Sequence, residues 1–174
     1  HGPMAYNFKT TKLIHVNQIF NNLKGDMSNI ESASHKLNKI GCGKGKLIGG
    51  NLSILCSLIN SSSFKIISQD IILFLEDVDE YLYHIERMMY TLDRMGLLGR
   101  IKGLIVGEMT NMLDNKIAFG KNVHQLIFNV AKKYKYPICF DFPVGHGENN
   151  HPIIIGSNIE LEVDTDFSKI VYIK

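Results

Sequence analysis

The run Ile71-Ile72-Leu73-Phe74-Leu75 constrains this chain more than any other segment. Five consecutive apolar residues show no alternation, so both faces of the segment must be covered. That is the pattern of a strand in the middle of a parallel sheet. The residues after it fit a crossover connection. Asp77 and Glu80 form a D-x-x-E start resembling a capping box with Asp as the cap. Leu82, Ile85, Met89, Leu92 and Met95 then recur at helical spacing, and Gly96 is placed to end the helix. Leu104-Ile105-Val106 reads as a second strand. Asn122 can cap a helix whose apolar face is Val123, Leu126, Ile127, Val130 and Tyr134, and Pro137-Ile138-Cys139-Phe140 opens a third strand. A β-α-β-α-β order implies a parallel sheet with right-handed crossovers.

The flanks read differently. Ile153-Ile154-Ile155, Ile159 to Val163 with alternating Glu160 and Glu162, and Ile170 to Ile173 predict short strands separated by turns. Val16, Ile19, Phe20 and Leu23 predict one helix stopped at Gly25, and residues 26–46 are polar and Gly-rich, as in a loop or linker. Lys46 to Leu52 reads as a strand ending in a Gly-Gly turn. A helix through Leu55, Leu58 and Ile59 comes next, ended by Ser61-Ser62-Ser63. The expected fold is α/β, with a mixed, largely parallel sheet and a β-rich C-terminal end. Residues 1–45 form an interdomain segment with a helix, and residues 46–174 form the domain proper.

Bulk properties narrow the function classes. A net charge of +2 over 174 residues, with Lys132-Lys133 the only adjacent basic pair, argues against a nucleic-acid partner. No apolar stretch approaches the roughly 20 residues of a membrane span, so no membrane partner is expected. Cys42, Cys56 and Cys139 cannot all pair and match no zinc spacing, which predicts reduced thiols and a cytoplasmic location.

Two ionisable residues sit just past apolar runs, where an open α/β sheet presents strand ends to a ligand crevice. Glu76 follows the run at 71–75. Its ordinary role would be to favour a helix N-terminus, a task Asp77 is already placed to perform. His146 lies between Gly145 and Gly147 after Pro143, and is either a surface-loop histidine or a general base with an uncrowded ring. A metal held by His146, Glu148 and His151 is an alternative, but that spacing suits no helix-borne site and supplies few ligands. Gly49-Gly50-Asn51 lacks the Gly-Lys-Ser/Thr ending of a phosphate loop and fits a tight turn with Asn51 bonding locally. No serine lies in a G-x-S-x-G elbow, and Cys139 reads as inert core rather than thiolate. The chain thus offers a base and its orienting acid with nothing to activate.

Seven segments occur in a telling order: His1-Gly2-Pro3-Met4, Gly49-Gly50-Asn51-Leu52, Leu73 to Asp77, Tyr83 to Arg87, Gly103 to Gly107, Pro143-Val144-Gly145-His146 and Pro152 to Gly156. Together they make the chain resemble the C-terminal part of the serine LD-carboxypeptidases, or muramoyltetrapeptide carboxypeptidases, to which the microcin C immunity peptidases are related. The resemblance implies a swivelling β/β/α domain that supplies the Glu and His of a Ser-Glu-His triad, here Glu76 and His146. It implies a serine on a separate N-terminal domain, a homodimer when full-length, and no metal or organic cofactor. It further implies a murein tetrapeptide substrate that loses its terminal D-alanine during cell-wall recycling. The His-Gly-Pro-Met segment would lie near the junction of the two domains, so the chain is expected to be one part of a longer protein and inactive alone. A microcin-type substrate and a non-catalytic peptide-binding or dimerisation module are the competing expectations.

Overall fold

The computed structural model describes residues 1–9, 11–59, 61–62 and 70–173. After a short 3-10 turn at Ala5–Asn7, the elements are α1 (Leu13–Leu23), β1 (Ile30–Ala33), β2 (Gly41–Asn51), α2 (Leu52–Ser57), β3 (Ile71–Val78) and α3 (Leu82–Arg94). They continue with β4 (Gly103–Thr110), α4 (Val123–Ala131), β5 (Ile138–Cys139), β6 (Asn158–Val163) and β7 (Phe167–Tyr172). Among the described residues, seven strands form one sheet in the order β1-β7-β6-β2-β3-β4-β5. β2 to β5 pair in parallel, while β6, β7 and β1 add an antiparallel half.

The apolar run at 71–75 is the axis of the packing. Successive residues of a strand point to opposite faces. Ile71, Leu73 and Leu75 therefore join the cluster built with Ile85, Met89, Leu92, Leu126 and Ile127 from α3 and α4. Ile72 and Phe74 join the opposite cluster with Phe142, Val144, Ile159 and Leu161. Leu73, Phe74 and Leu75 are at most 1% exposed, and each such burial stabilises by about 1.5–3 kcal/mol. The α4 start is as predicted. Asn122 accepts from the Gln125 amide at 2.9 Å and Gln125 reaches back to the Asn122 amide at 3.0 Å, closing a capping box.

Several expectations are corrected. Residues 26–46 are not a linker. Ile30 is buried and pairs with Ile170, and β2 runs without interruption through the boundary expected between residues 45 and 46. Asp77 does not cap α3. β3 continues to Val78, Asp79 turns the chain at φ +57°, and the helix starts after Tyr81 with no side-chain cap. Glu80 instead contacts His84 Nδ1 at 2.7 Å along α3. Ile153 to Ile155 form no strand: the Ile153 amide donates to the His1 carbonyl at 2.8 Å, and the Ile154 amide donates to the Tyr172 hydroxyl at 3.2 Å. Tyr134 lies past the end of α4. Of the serine run expected to end α2, Ser63 lies outside the described residues.

Candidate active site

Glu76 shares the face of Ile72 and Phe74, so the strand that buries two apolar side chains carries a carboxylate inward at its C-terminal end. The residue is fully buried. The β3–β4 register slips between Leu75 and Asp77, so Gly107 and Glu108 together oppose Glu76. A bulge of this kind re-aims side chains at the end of a pairing. Asp77 points to the other face. Its carboxylate accepts from Asn51 Nδ2 at 2.8 Å, from the Ser53 amide at 3.0 Å and from the Val78 amide at 2.9 Å. Asn51 Oδ1 accepts from the Ile54 amide at 3.1 Å, the local bond expected of it, and thereby caps α2. The two adjacent acids serve different faces: Asp77 ties the end of β2 to the first turn of α2, and Glu76 meets His146 on the other side. Gly49 and Gly50, expected in a tight turn, instead pair with β3 as part of β2.

His146 meets Glu76 from the loop after β5. Its Nδ1 lies 2.6 Å from Glu76 Oε2, and its side chain keeps 41% exposure. With an ionised carboxylate at Nδ1, that nitrogen carries the proton and donates it. Nε2 then has a free lone pair, and among the described residues no hydrogen bond occupies it. The far carboxylate oxygen, Oε1, is 3.4 Å from His1 Nε2, and the His1 ring stands edge-on to Phe74 at 5.2 Å. Burial alone would push the Glu76 carboxyl up. The contacts and charges of His1 and His146 outweigh it and hold the group below its ordinary value.

A carboxyl whose folded pKa lies below its unfolded one adds stability at higher pH and loses it as acid protonates the folded form. The stability difference between wild type and Glu76→Gln should therefore shrink in urea titrations taken progressively below the ordinary value of 4.5. A difference that grows with acid would reverse the assigned direction.

The sequence did not single out Glu108 or give His1 an individual role. Glu108 accepts from the Gly147 amide, and its own amide donates to the Val144 carbonyl at 2.9 Å, so it pins the loop on both sides of His146. A side chain at Gly147 would put its Cβ 2.3 Å from Glu108 Oε2. The one available signal was that Glu108 ends an apolar strand, as Glu76 does. A recess of about 280 Å³ opens beside His146, walled on its other side by His1 to Met4. The expected metal alternative does not assemble, because His151 Nδ1 pairs with Gln18 Oε1 at 2.9 Å and its ring packs on His15 at 4.2 Å. Burial pushes His151 down to about 4. Cys139 is fully buried and its thiol is pushed up to about 12, as befits inert core.

A buried carboxylate bonded to Nδ1 of a half-exposed histidine fixes that ring in one tautomer and leaves Nε2 able to accept a proton. Residues 44–161 match the family model of the LD-carboxypeptidase C-terminal domain, and the chain belongs to that family. It is 31% identical over 121 residues to the "Probable murein peptide carboxypeptidase" of Bacillus subtilis, an alignment covering 70% of this chain and 38% of that protein. It is 27% identical over 119 residues to the murein tetrapeptide carboxypeptidase of Pseudomonas aeruginosa, covering 68% of this chain and 38% of the relative. The chain thus spans about 38% of the length of these curated relatives. The crystal structure of muramoyltetrapeptide carboxypeptidase from Oxalobacter formigenes superposes with a TM-score of 0.82 at 23% identity, covering 91% of this chain and 54% of that one. The microcin C7 self-immunity protein MccF has the same fold at a TM-score of 0.68 and 19% identity, covering 80% of this chain and 40% of its own.

Proposed function

We propose that this chain supplies the general base His146 and its orienting acid Glu76 to a serine carried on a separate domain. Together they would form a cytoplasmic serine LD-carboxypeptidase that removes the terminal D-alanine of murein tetrapeptides. The observation that carries the reading is the 2.6 Å contact between His146 Nδ1 and the buried Glu76, with His146 lining an open recess. Among the described residues, none lining that recess is a serine. Face and partner agree, since Leu13, Ile14, Phe20 and Leu23 on α1 and Tyr6 before it are large apolar side chains exposed to solvent. Such a patch fits a docked domain or the second copy of a homodimer.

The proposed chemistry follows triad logic. The serine hydroxyl attacks the carbonyl of the diamino acid's L-centre, and His146 Nε2 takes its proton. Glu76 holds the ring in the correct tautomer and stabilises the imidazolium that forms. The same proton passes to the leaving D-alanine amine as the amide C–N bond breaks. Water, deprotonated by His146, then releases the tripeptide from the acyl-enzyme.

The test compares the serine-bearing full-length protein with residues 1–174 alone on L-Ala-D-Glu-meso-diaminopimelate-D-Ala. The expected result is D-alanine release by the former and none above background by the latter. Release by residues 1–174 alone would overturn the divided triad. A full-length protein that spares the tetrapeptide and cleaves an aminoacyl sulfamoyl nucleotide would replace the substrate.

A further inference from the structure

Away from Glu76 and His146, at the β5 edge of the sheet, three side chains from distant segments converge. His35 comes from the link between β1 and β2, His124 from the first turn of α4, and Asp141 from the residues just after β5. One ligand atom of each lies within 4.8 Å of the others. His124 Nε2 is 2.7 Å from Asp141 Oδ1, and His35 Nε2 is 3.9 Å from Asp141 Oδ2. Donors around a tetrahedral ion with bonds near 2.0–2.1 Å stand roughly 3.3 Å apart, so these separations bracket the requirement. We propose that His35, His124 and Asp141 form a binding site for a first-row divalent cation of the Zn2+ type, independent of the Glu76–His146 chemistry.

The donor set decides the class of ion. Two imidazoles and one carboxylate suit zinc and its neighbours, whereas magnesium and calcium demand oxygen ligands. Three protein ligands leave a fourth position for water, and Asp141 is exposed enough to admit it.

The cluster is also held in place, which a chance meeting of surface side chains is not. Both imidazoles pack against the buried Phe140 ring, with centroids 5.6 Å away in each case. Lys39 and Ile138 exchange backbone hydrogen bonds of 2.8 and 3.1 Å, and the Phe140 amide donates to Asn38 Oδ1 at 2.9 Å. Those bonds fasten the His35 link to the strand that leads to Asp141. His124 stands on a helix closed by its own capping box. Ligands mounted on supported backbone lose less freedom on binding.

One local bond is surrendered. His35 Nδ1 accepts from the Leu37 amide at 3.2 Å, so a metal on Nε2 moves the ring proton to Nδ1 and gives up that long contact.

A bound ion would tie the two-residue strand β5, which begins the segment leading to His146, to α4 and to the β1–β2 link. The test is a titration of the EDTA-treated chain with ZnCl2 near neutral pH, monitored by calorimetry and by ring 15N resonances of the seven histidines. The expected result is one-to-one binding in the micromolar range or tighter, with the His35 and His124 rings shifting and melting raised by a few degrees. The His35→Ala/His124→Ala double variant should bind at least about tenfold more weakly, and Asp141→Asn should bind several-fold more weakly. The ring resonances of the unmodified chain decide the matter even if a variant unfolds. Shifts confined to other histidines, such as His146, or no binding below millimolar zinc would overturn the site.

Discussion

In the proposed serine-bearing enzyme, Glu76→Gln should lower kcat/KM for D-alanine release by about four orders of magnitude without unfolding the domain. The size reflects what the substitution leaves in place. A glutamine fills the same volume next to Phe74 and can still reach His146 Nδ1. Its amide can donate to that nitrogen, which moves the ring proton to Nε2, the atom that must accept the serine proton. Its neutral carbonyl also fails to stabilise the imidazolium. Both losses arise only as the transition state forms, so kcat should fall more than KM rises. His146→Ala removes the base outright and should cost at least as much. The two together should cost little more than either alone, because the pair acts as a unit. Activity of Glu76→Gln within about tenfold of wild type would remove Glu76 from the mechanism.

What the sequence disclosed, and what it hid, divides along physical lines. β3, α3, β4 and α4 were legible because each buries apolar residues at the period of its own geometry, and Asn122 and Gly96 punctuate them chemically. The first half of β2 was not. Gly41-Cys42-Gly43-Lys44-Gly45-Lys46 offers no apolar period, and its glycines answer a packing demand instead. A Cβ on Gly43 would lie 2.1 Å from the Lys102 carbonyl oxygen, and one on Gly45 would lie 2.6 Å from that of Asp70. Backbone pressed against backbone selects glycine, and glycine in sequence looks like a loop. The site split in the same way. Glu76 and His146 were visible as ionisable groups past apolar runs. The division of labour between Glu76 and Asp77 was not, since it depends on which face each residue meets. Nor was the bulge that sets two β4 residues against Glu76. Glu108 and the His35–His124–Asp141 cluster exist only through contacts between segments far apart in the chain.

Gly147→Ala should lower activity of the complete enzyme by about a hundredfold, the scale of a catalytic group displaced by roughly an ångström. Glu76 and His146 are both intact in this variant, so the loss must come from position. The new methyl would lie 2.3–2.5 Å from the carboxylate atoms of Glu108. Either Glu108 swings out and releases the Gly147 amide it holds, or the loop retreats and carries His146 away from Glu76. A double-mutant cycle separates this cause from a general disturbance of the loop. Glu108→Ala alone loses the tether and should cost about tenfold, while also making room for a methyl at position 147. If the clash is the damage, Gly147→Ala in that background should add almost nothing, and the double variant should match Glu108→Ala within a few-fold. Losses that instead multiply to about a thousandfold would show that the methyl acts on something other than Glu108. The expected non-additivity would make Glu108 a positioning residue, working at the end of β4 to hold the base that Glu76 orients from the end of β3.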